Sequence, residues 1–326
     1  MPRLEKSAYN LIRRKTASSR ADIARMLGIS RPTASAVVQS LITSGMIFEC
    51  GKGKSTGGKT PIALAVRNDD TRLIGIDLGY SDRISAVLLD NSGDIAAEKQ
   101  LDFTPRTLEE LTERIAGLIR QCPEAGRIIG CAVAVPGIVN EESMYISRSI
   151  KELFCGDALA EMLKDKLEMP IFIGNRSRMA AVSEAFGGAG DKEDDFALIS
   201  LGTSIGAAFW CGGGIFNGAG SSAGEIKNIR LGSGESFEDA LAVTAIRNRS
   251  AEEIAGLCAD GLGQVVDIMD TGMLILSGRF ADFGAGFAPM LEKMMSEKHP
   301  VRVRSARYGR FSAARGAAFR LGETII

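Results

Sequence analysis

Seven polar side chains in the first sixty residues have the types and spacing needed to read a nucleic acid. Arg31, Thr33, Ser35 and Gln39 fall on one helical stretch, and short or forked hydrogen-bonding groups of this kind match base edges and phosphates in a major groove. Lys52, Lys54 and Lys59 sit in a Gly-rich segment, where cations at a loop tip can reach phosphates or the minor groove. Glycines form a second set. Gly79, Gly137, Gly202, Gly206 and Gly278 follow or interrupt apolar runs, and a glycine after a buried strand lets a ligand approach backbone N–H groups closely, as phosphate loops require. Metal chemistry is not indicated. The chain has one histidine, His299, and its six cysteines (Cys50, Cys122, Cys131, Cys155, Cys211 and Cys258) form no C-x-x-C pair, whereas a structural zinc site takes about four Cys/His ligands.

The elements that must position the first set are legible. A helix over about 5–15 presents Ala8, Leu11 and Ile12 on one face. Ser19 caps a second helix, with Asp22 three residues on, and Gly28 stops it. Ser30 caps a third, with Pro32 in its first turn, where a missing N–H costs nothing. This third helix carries Val37, Val38, Leu41 and Ile42 as its apolar stripe and ends near Gly45. Two helices joined by a short Gly-containing turn make a helix-turn-helix. The strand-like runs MIFEC and PIALAV then flank the lysine-bearing loop as a wing.

Charge agrees with that division. Residues 1–67 hold 12 Lys+Arg against 3 Asp+Glu, and the remainder holds 27 against 37, within a net charge of −1 over 326 residues. A basic piece on an acidic body points one end at a polyanion. Hydrophobic residues make up 45% and charged residues 24%, which excludes disorder, collagen and coiled coil as whole-chain readings. The longest near-continuous apolar run, 128–139, contains Pro136 and Gly137 and falls short of the roughly 20 residues of a membrane span. The N-terminus has no apolar signal-peptide core. The expectation is a cytoplasmic protein with reduced cysteines.

From residue 72 onward, strands alternate with helices, which reads as an α/β layered fold. Strands are predicted over 73–79, 83–91, 94–103, 128–135, 170–174, 196–203, 206–216, 273–278 and 301–305. Helices are predicted over 108–120, 177–187, several pieces of 236–270, 280–296 and 311–322. Trp210 is read as core or rim. Met290, Met294 and Met295 are read as core or interface, and Arg302, Arg304 and Arg307 as a solvated face.

An ordered set of motifs gives this body a family likeness: GIDLG (75–79), VPGIV (135–139), GNRSRMAAVSEAFG (174–187), LGTSIGAAF (201–209), AGSSAGEIKN (219–228) and ARGAA (314–318). Together they resemble the ROK family of repressors and sugar kinases, built on the actin-like ATPase fold. The wing GKGKSTGGKTP (51–61) is similar to that of the repressor branch, with Lys59 where arginine is usual. The resemblance implies a winged helix-turn-helix over 1–69 and a two-lobed effector-binding and oligomerisation domain over 70–326. Its lobes would span roughly 70–190 and 191–326, with the C-terminal helix returning to the first lobe. GIDLG and LGTSIGAAF correspond to the two phosphate loops. Gly137, Asn175, Arg176, Glu225, Asn228 and Glu235 fall at or beside sugar-side positions.

Departures from the family pattern decide the activity. Arg176 stands where the kinases carry the aspartate that takes the sugar's proton, and a guanidinium has no acceptor and stays charged. Tyr80 and Ser81 replace a Gly-Thr pair beside the nucleotide phosphates, Asn228 replaces the zinc-ligand histidine, and the zinc cysteines are missing. The expectation is therefore no catalytic residue, no metal and no cofactor. Arg176 either pairs with a phosphorylated sugar or forms an internal ion pair with Asp77 or Glu184. The function read from the sequence is a DNA-binding repressor of carbohydrate-related genes. Its partners would be double-stranded operator DNA, a sugar or sugar-phosphate effector and a second copy, as a homodimer or dimer of dimers. The alternatives are a sugar kinase with a DNA-binding appendage, and a regulator that answers to a protein partner.

Overall fold

The computed structural model describes residues 3–52, 61–68 and 71–325. Three helices begin it, α1 (Arg3–Arg13), α2 (Arg20–Leu27) and α3 (Arg31–Thr43), followed by the antiparallel pair β1 (Ile47–Lys52) and β2 (Ile62–Val66). Local chemistry sets their ends. The Ser19 and Ser30 side chains accept the N–H groups of Asp22 and Thr33, each at 3.2 Å, satisfying donors that a helix start leaves unpaired. Gly28 closes α2 at φ +63°, a left-handed cap that favours glycine. Ala8, Tyr9, Ile12, Ile23, Ala34, Val38, Leu41 and Ile47 pack into one small core.

The body holds two five-stranded sheets. The first comprises β3 (Arg72–Asp77), β4 (Arg83–Leu89), β5 (Ile95–Asp102), β6 (Ile128–Val135) and β9 (Ile171–Asn175), in the order β5-β4-β3-β6-β9. Between them come α4 (Leu108–Arg120), the short hairpin β7 (Ile138–Asn140) and β8 (Tyr145–Arg148), and α5 (Ala158–Leu167). The helix α6 (Arg176–Ala185) follows β9 directly. The second sheet comprises β10 (Phe196–Leu201), β11 (Ile205–Cys211), β12 (Gly214–Phe216), β13 (Met273–Gly278) and β14 (Arg302–Ser305), ordered β12-β11-β10-β13-β14. The helices α7 (Phe237–Ala240), α8 (Val243–Ile246), α9 (Ala251–Met269) and α10 (Phe287–Met295) belong to this half, and α11 (Ser312–Ile325) follows. Each sheet sets three parallel strands beside two antiparallel ones. The hairpin β7–β8 and the helix α5 are absent from the sequence-based assignment.

Strand alternation divides the core into layers. Ile74, Ile76 and Leu78 face α4 and α5, while Leu73 and Ala132 face α6 and α11. Leu198, Ala208 and Ile275 of the second sheet join that same α6–α11 layer, so these two helices fill the seam between the sheets. Backbones touch there. A Cβ at Gly316 would lie 1.6 Å from the Met179 carbonyl oxygen, and one at Gly75 would lie 1.9 Å from the Ala314 oxygen. Trp210 is core, stacked on Phe196 at 5.9 Å, and Met295 is buried while Met294 is exposed. Arg302 and Arg304 are not merely solvated. They hold Glu193 and the Ala189 carbonyl, and Arg307 holds the Gly187 carbonyl. All six cysteines are free, and burial pushes the Cys131 and Cys258 thiols up to about 12, which leaves them unreactive. Among the described residues no helix is long and apolar enough to cross a membrane.

The α6–α11 contact makes Gly316→Ala a test of the seam. The added methyl must push backbone apart, and overpacking of this kind costs about 1–3 kcal/mol. A lower urea midpoint at unchanged slope is expected, while Gly126→Ala, whose Cβ meets nothing within 4 Å, should leave the midpoint in place.

Candidate effector cleft and nucleic-acid face

A narrow cleft with a cavity volume of about 50 Å³ opens between the sheets. It lies beyond the carboxyl ends of β3, β6, β9 and β10, where open α/β sheets receive ligands. Gly137, Asn175, Arg176 and Glu225 line it together, with Ser149, Ser177, Ser204, Arg148 and Lys227. Asn175 is positioned twice. Its Oδ1 accepts the Arg178 N–H at 3.0 Å as the cap of α6, and its Nδ2 donates to the Gly137 carbonyl at 2.6 Å. Gly137 sits at φ +150° with the Arg148 oxygen 2.2 Å from where a Cβ would be, so this bend admits only glycine.

Two expected residues fall outside the lining. The 3-10 turn Ile226–Asn228 buries Ile226 in the second sheet's core. Glu225 and Lys227, 3.1 Å apart, line the cleft, and Asn228 is exposed and outside the lining. Glu235 belongs to a turn whose carbonyl accepts the Leu231 N–H. The carboxylate that reaches the second glycine loop is Glu238, which accepts the Ser204 hydroxyl at 2.8 Å and the Ile205 N–H at 3.0 Å. Its signal in the sequence was the S-x-x-D start of α7, where Ser236 caps Asp239 and fixes Glu238 on the first turn.

Of the two readings of Arg176, the structure has the ion pair with Asp77. Its Nε lies 3.0 and 3.1 Å from the Asp77 carboxylate oxygens, and one terminal nitrogen donates to Ser200 Oγ at 2.8 Å. Burial opposes the guanidinium charge, but Asp77 and Tyr80 together outweigh it and hold the group above its ordinary value. The glycine loops close around this arm. A Cβ at Gly79 would lie 1.9 Å from Arg176 Cδ, and one at Gly202 2.7 Å from its terminal nitrogen. Tyr80 is buried beneath, its ring 4.7 Å from the Arg176 guanidinium and 5.5 Å from that of Arg279, and burial pushes its phenol up. The space between the two loops is thus filled by the protein's own side chains. Glu184 is engaged elsewhere, accepting the N–H groups of Ala189, Arg307 and Tyr308 and the Ser312 hydroxyl.

A second arginine also bridges the halves. Arg178 donates to the Val139 carbonyl at 2.8 Å and to Asn217 Oδ1 at 2.7 Å. Arg148, by contrast, is exposed at the cleft rim and has no ion-pair partner among the described residues.

On the N-terminal module, Arg31, Thr33, Ser35 and Gln39 are all exposed on α3, opposite the buried Ala34, Val37, Val38 and Leu41. The Thr33 hydroxyl is partly engaged, 2.7 Å from Ser30 Oγ. Lys52 ends β1, opposite Ile62, and Lys54 and Lys59 lie outside the described residues. Four other cations of the basic module face the body instead. Lys6 and Arg13 donate to carbonyls, Arg14 pairs with Glu323, and Lys15 pairs with Asp94.

Asp77 has no exposed surface, so removing its partner strands a buried charge. Arg176→Met and Asp77→Asn are each expected to cost about 3–5 kcal/mol, and the double variant less than either. A cycle of urea midpoints reads this, and additive losses would contradict the coupling.

Comparison with known proteins fits this geometry. The sequence profile described as "ROK family" matches residues 73–238. A xylose repressor of Caldicellulosiruptor bescii is 29% identical over 219 residues, covering 65% of this chain and 55% of the repressor. The DNA-binding transcriptional dual regulator NagC of Escherichia coli is 26% identical over 230 residues, covering 69% of this chain and 56% of that protein. The chain therefore spans little more than half the length of these relatives. The crystal structure of a ROK family transcriptional regulator, a homologue of the E. coli MLC protein, superposes with a TM-score of 0.75 at 18% identity, over 98% of this chain and 96% of that one. A ROK family glucokinase from Streptomyces griseus, in complex with glucose and AMPPNP, superposes with a TM-score of 0.66 at 19% identity, over 76% of this chain and 98% of that one. These likenesses show an actin-like fold of the sugar-kinase type. Because the family match spans half the chain, including both glycine loops and every residue that lines the cleft, the chain belongs to the ROK family.

Proposed function

We propose that this protein is a DNA-binding transcriptional regulator, a repressor of carbohydrate-related genes controlled by a sugar or sugar-phosphate, without kinase activity. The observation that carries the reading is the divided helix α3, whose one face is core and whose other presents Arg31, Thr33, Ser35 and Gln39 to solvent. In this reading residues 1–69 form a winged helix-turn-helix, with α3 entering the major groove and the β1–β2 hairpin as wing. Residues 70–326 sense the effector and form a homodimer, whose two-fold symmetry matches a palindromic operator. The repressor names of the relatives support this. So does the regulator structure's likeness over 98% of the chain, against 76% for the kinase.

Against catalysis stands Arg176. It offers no acceptor for the sugar's proton, and with Tyr80 it occupies the space between the loops. No ATP consumption is expected with any sugar. For the effector, Asn175, Ser149 and Glu225 can meet hydroxyls. Because Arg176 is engaged, the group free to meet a phosphate is Arg148 at the rim.

Selection of genomic fragments near 150 mM salt tests the regulator. Enrichment of a palindrome with half-sites about one helical turn apart is expected, as is a loss of about 1–3 kcal/mol in Arg31→Ala. Binding that only falls steeply with salt, without a preferred site, would reduce the module to a phosphate binder. Calorimetry with xylose, N-acetylglucosamine and their phosphates tests the effector. Phosphates should bind roughly tenfold tighter than free sugars, and Arg148→Ala should erase the difference.

A further inference from the structure

The basic charges of α1 that do not face solvent meet at one joint. Arg13 is 2% exposed, and its guanidinium donates to the Asn91 and Phe319 carbonyls, each at 2.9 Å. The group lies 4.2 Å above the Phe319 ring, and Arg315 approaches the same ring at 5.6 Å. Phe319 in turn stacks on Phe186 at 5.4 Å, with Arg14 4.7 Å above Phe186. Gly322 leaves room for this packing, since a Cβ there would lie 2.6 Å from an Arg13 nitrogen. Phe186 is the residue that ends α6, whose other end is capped by Asn175 in the cleft. Ten residues at 1.5 Å each make α6 a strut of about 15 Å. It cannot slide freely along α11, because Gly316 brings the backbones into contact and Arg315 binds the Ser183 carbonyl.

We propose that Arg13 is the positioning residue through which the state of the cleft is read at the DNA-contacting helix: seated on Phe319, it fixes α1 to the α6–α11 pair, so that a shift of α6 at Asn175 turns the module as a rigid body. This rests on the regulator reading above. It differs from a merely structural role in that its loss uncouples the two sites while each still works. Two of the guanidinium nitrogens donate to two carbonyls and the plane stacks on Phe319, a geometry that lysine does not reproduce, while the remaining terminal nitrogen is buried without a hydrogen-bond partner among the described residues.

The experiment uses the full chain in two arms. In the first, spin labels on Cys50 of the module and Cys211 of the body, both exposed, report their separation by pulsed electron resonance, with Cys122 and Cys155 replaced by serine. With the labelled chain diluted into an excess of unlabelled chain, so that only pairs within one protomer are read, a single narrow distance distribution is expected for the parent, a broadened one for Arg13→Gln, and an intermediate one for Arg13→Lys. Far-ultraviolet circular dichroism confirms that each variant is folded, and Arg13→Lys carries the test if Arg13→Gln is not. In the second arm, a duplex enriched by the genomic selection is titrated with the parent, Asn175→Ala, Arg13→Gln and the double variant. Asn175→Ala should change DNA affinity by about fivefold or more when Arg13 is present, in the range of ordinary allosteric coupling, and less than about twofold in the glutamine background. An unchanged distance distribution in Arg13→Gln, or equal Asn175→Ala effects in both backgrounds, overturns the proposal. Failure of the parent to bind any duplex would instead sink the regulator reading, and the label distances would still decide the clamp.

Discussion

A carboxylate with no exposed surface has to be met by a cation, and most of the body's interior follows from how Asp77 is met. An unpaired buried charge costs several kcal/mol, whereas a paired one breaks even only when its remaining hydrogen bonds are satisfied. Arg176 supplies the charge, Gly79 N–H and Ser200 complete the hydrogen bonds, and Tyr80 covers the pair. For the guanidinium to arrive, the loops around it must lack side chains, which explains the glycines at 79 and 202 without any phosphate. Because Asp77 ends a strand of the first sheet and Ser200 lies in the second, satisfying this one charge also ties the two lobes together.

The same glycines were read from the sequence as places where a ligand approaches backbone. Something does approach closely at these glycines, but the visitor is an arginine of the chain itself. Sequence reasoning named Asp77 as one possible partner. Choosing between it and Glu184 needed geometry, because both are buried and only their donor sets differ.

What was legible was whatever local chemistry determines. Ser19, Gly28, Ser30 and Pro32 mark helix ends by their own hydrogen bonds and φ preferences, so the N-terminal elements were found within a residue or two. What was missed lacks such marks. α5 starts at Asp157 without a side-chain cap and buries only Leu159, Ala160 and Leu163. The β7–β8 hairpin has strands of three and four residues, and its turn uses Met144 at φ +58° where a glycine would have announced it. In the cleft, Gly137, Asn175 and Glu225 were recoverable because they sit on motifs. Lys227 shares Glu225's motif, but only the 3-10 turn decides that it and not Asn228 lines the cleft, and Glu238, at the second glycine loop, has no signal beyond the S-x-x-D start of a four-residue helix. Net charge was the least specific signal. It marked the module as basic but could not separate Arg31, facing solvent, from Arg13, seated under α11.

The position of α11 in the chain has a kinetic consequence. This helix completes the layer between the sheets and lies against β3, yet it is translated roughly 240 residues later. At synthesis rates of about 5–20 residues per second, β3 waits about 12–50 s for its partner. The N-terminal module has its own small core and can form at once. The first sheet has apolar residues on both faces, and until α11 emerges, one face, including Leu73, Ala132 and the bare backbone at Gly75, has only α6 to cover part of it. The nascent body is therefore open to mispairing and to chaperones for most of its synthesis, and folding of both lobes becomes a late, concerted event.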